Sequence, residues 1–268
     1  MSFPTRRAFA SLAAVATVAL SIHSLPAQAA EFSVGANIGN VPWEFQDASG
    51  ATVGFEIDLV NEIASRLDST VKFENIPFNG LFSAVQSGRI DMAVSSITIT
   101  EKRLESVSFA QPYYDSDQSL TATAASGITS LDDLKGKTIG VDTGSTGDIY
   151  AQENAEKYGF ASISRYEGLA PAMLDLQAGR IEGYISDIPA LQYYTKDKPE
   201  LKVVQRIETG EKYSIMFAKD AELLTKVNDV LTTLKNEGFI AGLHEKWFGA
   251  KPEDTTSTVM VTDIPMLK

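Results

Sequence analysis

One short segment of this chain combines the groups that bind a small carboxylate. Three hydroxyl side chains, Ser95, Ser96 and Thr98, follow an apolar stretch typical of a buried strand. Thr100 is suited to cap a helix that carries Arg103 about one turn in. Hydroxyls and free N–H groups at a strand end, close to a guanidinium, form a place for a carboxylate. The same residue types also favour a solvated strand-to-helix corner, so this segment alone leaves both interpretations open.

The elements that position this segment come from two series of strands and helices. A strand at 31–37 is followed by helices predicted at 54–67 and 78–86, and the second series begins at residue 130. Strands that alternate with helices predict open α/β sheets, here in two lobes joined by extended segments. The end of the chain, 251–268, has no helical period, and we expect a flexible tail there, with a short added strand as the alternative.

The first thirty residues are typical of an export signal. Arg6 and Arg7 precede an apolar run, and Ala27-Gln28-Ala29 matches a small-residue cleavage site. We therefore predict a signal peptide at 1–30, cleaved near Ala29 or Ala30, and a periplasmic location. The arginine pair also resembles a twin-arginine signal, so the export route stays open.

Composition excludes several classes of function. The chain carries 23 Lys+Arg and 35 Asp+Glu, a net charge of −12, and loss of residues 1–30 with their two arginines would make it −14. This balance argues against nucleic acid or an anionic membrane as a partner. With no cysteine, and with His244 as the histidine outside the leader, the sequence favours neither a metal site nor a histidine triad. We predict no metal and no cofactor.

Several motifs, taken together in this order, resemble the family 3 bacterial extracellular solute-binding proteins, the polar amino-acid receptors of ABC importers. The resemblance covers nearly all of residues 31–250, and its most specific parts are 54–59 and 95–103; it also includes 77–81, 109–114, 134–137 and 247–249. It implies the two-lobed type II periplasmic-binding-protein fold, with crossing segments near 118–124 and 211–217. On this basis lobe 1 is predicted at 31–118 and 213–250, lobe 2 at 119–212, and the tail at 251–268.

The resemblance also implies roles for individual residues. Arg103 would hold the ligand's α-carboxylate, with Ser96 and Thr98 as added donors and Ser95 beside them. In lobe 2 the carboxylate clamp would be the loop 144–146, which consists of Gly144, Ser145 and Thr146. Alternatively, this loop is an ordinary N-capped turn. Asp187 would bind the α-ammonium; as an alternative it is a helix N-cap.

The side-chain end of the pocket departs from the family pattern. Many members carry an acid after the first strand and an aromatic residue shortly afterwards, where this sequence has Asn37 and Asn40. An asparagine neither neutralises an ammonium nor offers a stacking surface, so we expect a polar ligand such as glutamine or asparagine. Phe78 is a further candidate contact, for the apolar part of a ligand, with a role in the core as the alternative. Trp43 is included as a candidate, although a structural role is favoured for it.

The expected function is therefore capture of an amino acid by a monomeric receptor, which closes its lobes on the ligand and delivers it to an inner-membrane permease. Two alternatives from other classes remain. One is an exported enzyme on the same fold, similar to the periplasmic cyclohexadienyl dehydratases. The other is a ligand-sensing partner of a membrane receptor.

Overall fold

A computed structural model describes residues 1–2 and 30–267 of this chain. Most of the predicted signal peptide, with its arginine pair and cleavage site, lies outside the described residues. The described strands are, in chain order, β1 (Ala30–Ala36), β2 (Phe45–Gln46), β3 (Thr52–Val53), β4 (Ser69–Asn75), β5 (Met92–Ala93), β6 (Val107–Phe109), β7 (Tyr114–Thr123), β8 (Thr138–Asp142), β9 (Ser162–Tyr166), β10 (Gly183–Asp187), β11 (Leu201–Tyr213) and β12 (Met216–Ala218).

Helices alternate with these strands. They are α1 (Phe55–Arg66), α2 (Phe78–Gln86), α3 (Glu101–Leu104), α4 (Thr146–Glu153), α5 (Ala155–Tyr158), α6 (Leu169–Gln177), α7 (Ile188–Thr195), α8 (Glu222–Asn236) and α9 (Phe239–Phe248), with a single 3-10 turn at Leu131–Leu134. Within the described ranges, no helix is both long and apolar enough to cross a membrane.

Two five-stranded sheets organise the described chain. The first has the order β4-β1-β5-β12-β6, and the second has the order β11-β7-β10-β8-β9. β1 is parallel to β4 and β5, and β8 is parallel to β9 and β10. We call each sheet with its helices a lobe. The α/β prediction of two lobes is confirmed.

The chain passes between the lobes twice. It leaves the first sheet after β6 and enters the second at β7, and it returns between β11 and β12. The first crossing therefore lies at 110–113, ahead of the predicted connector at 118–124 and of the predicted lobe boundary at 118. That boundary is wrong because β7 is a full strand of the second sheet. Its buried residues are largely polar, with Gln118 and Ser119 fully buried, which gave it the composition of a linker.

The core of lobe 1 follows from the periodicity of its helices. Leu59, Val60 and Ile63 form one buried face of α1, and Leu231 and Leu234 form that of α8. Apolar residues spaced three and four apart lie on one side of a helix. Fully burying each such side chain is worth about 1.5–3 kcal/mol. α1 packs against β4 at the edge of the first sheet, and α8 packs against α1.

The C-terminal segment packs against lobe 1. Ser257 and Thr258 are buried, and the Lys235 ammonium donates to the carbonyl of Met260 at 2.8 Å. The Ser257 N–H donates to Asp115 at 2.8 Å. The expectation of a tail free of the body is therefore wrong for this part, and the alternative of an added strand is wrong as well. Local composition missed the contact because its partners are distant in sequence.

Candidate ligand-binding site

A cavity of about 150 Å³ lies between the two lobes. Its walls are loops that follow strands of both sheets, where α/β proteins commonly bind ligands. Ten residues that the sequence singled out line it: Asn37, Asn40, Phe78, Ser95, Ser96, Thr98, Arg103, Ser145, Thr146 and Asp187. Their assignment as ligand contacts stays a prediction; their convergence on one cavity is an observation.

Arg103 is a buried cation in the wall of the cavity. Its side chain lies one turn into α3, where the Thr100 hydroxyl caps the helix by accepting from the Arg103 N–H at 3.1 Å. Nη1 donates to the carbonyl of Thr98 at 2.7 Å, and Nη2 donates to that of Gly144 at 3.3 Å. Within the described ranges no carboxylate lies within 4.0 Å of it; the described ion pairs involve other residues.

The surroundings of Arg103 favour an anion as its partner. The guanidinium lies 5.4 Å from the ring centroid of Phe78 and 5.1 Å from that of Phe82. Burial lowers the pKa of Arg103 to about 10, although the negative charges of Glu211 and Asp187 act in the opposite direction. The side chain stays charged at neutral pH. A carboxylate that enters the cavity would compensate the cost of burying this charge.

Ser96 joins the two lobes beside Arg103. Its hydroxyl donates to Asp187 at 3.1 Å and accepts from the side-chain amide of Asn40 at 3.1 Å. Its backbone has a φ of 45°, in the left-handed region that costs an L residue about 1–2 kcal/mol. Such a conformation persists only where neighbouring contacts hold it, and it occurs often at binding sites.

The loop of lobe 2 that faces Arg103 is also a helix cap. Ser145 caps α4 by accepting from the Asp148 N–H at 3.1 Å, and Thr146 is the first residue of that helix. Gly144 does not line the cavity, but its carbonyl contacts Arg103. The alternative of an N-capped turn is therefore correct as a description of the loop, and it does not exclude binding. N–H groups that open a helix bind anions readily.

Asp187 lies at the end of β10 and takes the N-cap position of α7 without capping it through its side chain. Its carboxylate instead accepts from Ser96 and from the side-chain amide of Gln118, the latter at 2.6 Å. Burial and the charge of Glu211 raise the pKa of Asp187 to about 7, which hydrogen bonds partly offset. A cation beside this carboxylate would relieve the cost of its burial.

The crossing strands add two groups that sequence reasoning missed. Gln118 on β7 donates to Thr146, Asp187 and Glu211, and Glu211 on β11 accepts from the Thr98 hydroxyl at 2.9 Å. No local motif marks these residues. They meet the site only because two long strands pair across the crossing, which the sequence does not specify.

Two acids near the far wall were also missed. Asp142 ends β8, and its Oδ1 is buried without a hydrogen-bond partner in the described residues. Burial raises the pKa of Asp142 to about 6; the nearby hydroxyl of Tyr184 acts against this rise, and the negative charge of Glu167 adds to it. Glu167 is exposed and accepts from Thr143 at 3.1 Å. Both acids lie at or directly after the end of a strand, where α/β proteins commonly place ligand-binding groups, so this position was the signal that could have found them.

Trp43 does not line the cavity, so its inclusion among the site residues is wrong. It is fully buried in lobe 1 and packs edge-on against Phe55, Tyr114 and Tyr213, with ring centroids 5.4, 4.8 and 5.4 Å away. Edge-to-face packing of this kind stabilises a core. The structural role that the sequence favoured for this residue is confirmed.

Nothing in the described part of the chain gathers three or more His, Cys, Asp or Glu side chains in a way that would hold a metal ion. The site chemistry is that of hydrogen bonds and opposed charges. Arg103 and the carboxylate of Asp187 come from different lobes. A molecule that carries both an anionic and a cationic group would bind both lobes at once.

The profile of the bacterial extracellular solute-binding proteins, family 3, matches residues 32–250. The chain belongs to this family. The ABC transporter arginine-binding protein 1 of Escherichia coli (strain K12) is 30% identical over 236 residues, which cover 85% of this chain and 96% of that protein.

Solved structures agree with this assignment. An ancestral arginine-binding protein bound to arginine has a TM-score of 0.77 and 34% identity, covering 82% of this chain and 98% of that one. An ancestral arginine-binding protein bound to glutamine has a TM-score of 0.77 and 33% identity, covering 84% of this chain and 100% of that one. These relatives are named as binding proteins. The two-lobed fold of the family is the fold of this chain.

Proposed function

We propose that this protein is the substrate-binding component of an ABC importer, which captures a polar amino acid and delivers it to a membrane permease. The single observation that carries the proposal is the opposition of Arg103 and Asp187 across one cavity. A free amino acid has a carboxylate and an ammonium on the same carbon. It therefore complements both groups at once, and neither lobe alone satisfies it.

Capture would proceed by closure of the lobes. The ligand carboxylate would pair with the Arg103 guanidinium and take further donors from Thr98 and Thr146, while the ammonium would bind Asp187. Because the ligand contacts both lobes only in the closed form, its affinity for that form exceeds its affinity for the open form. The permease would then bind the closed, ligand-bound form. We place this step in the periplasm.

The side chain of the ligand is expected to carry N–H donors. The interpretation from Asn37 and Asn40 assumed a pocket without an acid at that end, and this assumption is wrong, because Asp142 and Glu167 line the cavity. The unpartnered Asp142 oxygen can accept from a carboxamide, a guanidinium or an ammonium. Both bound amino acids named for the ancestral relatives, arginine and glutamine, have such donors.

The test is a thermal-shift screen of the mature protein against amino acids and opines, followed by calorimetry. A ligand that binds only the folded state raises the unfolding midpoint by mass action. Arg103→Ala should remain folded and lose binding, with Kd raised at least about thirtyfold, since truncating one partner of a buried charge pair costs about 2–5 kcal/mol. Arg89→Ala, at an exposed arginine of the same lobe, is the control and should bind normally. Normal affinity in Arg103→Ala would contradict the proposal.

We propose no catalytic role for the site. The enzyme alternative is tested by incubating the mature protein with prephenate, and no phenylpyruvate is expected above the uncatalysed rate. The Asp187→Asn variant is the control, since Asp187 is the cavity carboxyl whose pKa, raised to about 7, best suits a general acid at neutral pH. Turnover that this variant loses would establish an enzyme instead of a receptor.

A further inference from the structure

Two glutamates face each other in the core behind the cavity wall. Glu44 and Glu56 are both fully buried. Glu44 Oε1 accepts from the hydroxyl of Ser95 at 2.7 Å. Glu56 Oε1 accepts from the backbone N–H of Ser96 at 2.8 Å and from the hydroxyl of Tyr113. One oxygen of each carboxyl is thus engaged by the segment that lines the cavity or by a neighbouring phenol.

The second oxygen of each carboxyl lacks a donor. Oε2 of Glu44 and Oε2 of Glu56 are buried, and neither meets a hydrogen-bond donor in the described part of the chain. The two carboxyls are nonetheless neighbours, because the adjacent residues Ser95 and Ser96 each donate to one of them, and each carboxyl acts on the pKa of the other. Two ionised carboxylates cannot bond to each other, and two uncompensated charges in a core are very costly. A single proton between the two Oε2 atoms satisfies both.

We propose that Glu44 and Glu56 share one proton at neutral pH and that the pair positions Ser95 and Ser96 at the cavity. The pair does not line the cavity itself, so both glutamates are positioning residues. Their effect passes through Ser96, whose N–H bonds Glu56 and whose hydroxyl reaches Asp187. The hydrogen bond to Glu56 helps to hold the left-handed backbone of Ser96.

The charges around the pair agree with a shared proton. Burial, and next the charge of Glu56, raise the pKa of Glu44 well above its ordinary value. Burial also raises the pKa of Glu56, while hydrogen bonds act against the rise. The titratable group in direct contact is Tyr113, whose own pKa is raised by burial and by Glu56, so it remains a neutral donor. The next charge is Asp187, which acts on Tyr113. No cation among these groups neutralises the pair.

The first experiment compares the wild type with Glu44→Gln. The amide replaces the protonated acid, so the variant should fold. We expect the wild type at pH 7 to show the infrared band of a buried carboxylic acid and Glu44→Gln to lack it. Between pH 5 and 7 the unfolded chain has lost the proton that the folded wild type keeps. The unfolding constant of the wild type, relative to that of Glu44→Gln, should therefore rise close to tenfold per pH unit. Equal slopes, or no acid band in the wild type, would overturn the proposal.

The second experiment is a double-mutant cycle. Each single variant, Glu44→Gln or Glu56→Gln, leaves one donor and one acceptor between the residues. The double variant brings two amide donors together, so its loss of stability should exceed the sum of the single effects. Asp58→Asn, at an acid of the same helix that bonds Lys246 and Trp247, is the control and should add independently. If neither single variant folds, or if the cycle is additive, the shared proton is ruled out.

The positioning role has its own readout, which needs no ligand. Glu56→Ala should increase the hydrogen-exchange rate of the Ser96 amide at least about tenfold, because its acceptor is gone, whereas Glu56→Gln keeps the acceptor and should restore protection. Unchanged exchange in Glu56→Ala would show that the pair does not position the segment. These measurements stand apart from the ligand screen, so either proposal can fail alone.

Discussion

Opposite charges on the two lobes make Arg103 and Asp187 the residues on which ligand binding depends. Arg103 is buried and Asp187 is half-buried, and desolvation displaces the pKa of each in the direction of its neutral form. Desolvation thus makes both charges costly, and a zwitterion offsets the cost at both ends. This reasoning assigns the two ends of an amino acid to two lobes and makes each end separately testable.

Asp187→Asn should weaken ligands with an α-amino group by about 2 kcal/mol, or roughly thirtyfold, because the ammonium loses its counter-charge. A deaminated analogue of the same ligand should lose little. Calorimetry on the amino acid and its deaminated analogue checks this difference. Similar losses for both would remove Asp187 from its proposed role.

Asp142→Asn should reduce selectivity for side chains with N–H donors. In the wild type, Asp142 has a pKa of about 6, so it is ionised at pH 7 and protonated at pH 5. The preference for arginine over citrulline, a neutral analogue of equal length, should therefore fall as the pH falls through 6. In Asp142→Asn the preference should be small at every pH, and competition calorimetry at pH 5, 6 and 7 measures it. A preference that persists in the variant would assign the side-chain subsite elsewhere.

At the scale of elements, short loops after strands determine how the side chains meet. The loop before α4 turns at Gly144, whose φ of 75° lies in the left-handed region where a side chain is strained. The turn brings the Gly144 carbonyl to Arg103 and the cap residue Ser145 to the cavity. Loop geometry, rather than helix length, thus sets the facing wall of the site.

Gly144→Ala should lower the free energy of unfolding by about 1 kcal/mol and also weaken ligand binding, because relief of the strained φ displaces the loop. Gly88→Ala is a matched control: Gly88 has a φ of 71°, and an added Cβ there meets nothing within 4 Å. It should lower stability similarly and leave binding unchanged. Urea unfolding and calorimetry separate the two effects, and equal Kd values for both variants would contradict the loop's role.

On the scale of the whole molecule, the C-terminal segment braces the crossing between the lobes. Ser257 donates to Asp115 on β7 and accepts from Lys212 on β11, which are the two strands that connect the lobes. Lys235 on α8 holds the same segment through Met260. The segment therefore links both crossing strands to the body of lobe 1.

Removal of residues 253–268 should lower the unfolding midpoint by several degrees. At least two buried polar contacts are lost, each worth about 1 kcal/mol. In a chain of this size each kcal/mol shifts the midpoint by a few degrees. Removal of only 266–268, where Met266 and Leu267 are exposed, should have little effect. Calorimetric scanning of both truncations gives the comparison. Equal midpoints for the longer truncation and the full chain would show that the segment does not brace the crossing.

The sequence by itself determined the α/β class, the order of strands and helices, and most of the polar residues of the cavity. These follow from local patterns, since hydrophobic periodicity specifies each element and strand ends are where α/β proteins place polar groups. Arg103 and Ser96 were found in this way because they follow a strand or lie in the first turn of a helix, whereas the role of Asp187 came from the resemblance to the family.

Only the tertiary structure decided which distant residues complete the site. Gln118 and Glu211 join it through the pairing of β7 with β11. The Glu44–Glu56 pair forms where α1 meets the turn before β2. Trp43 packs in the core instead of lining the cavity. These outcomes depend on contacts between residues far apart in sequence. Local propensity does not specify such contacts, because they form and stabilise the protein only when the chain folds.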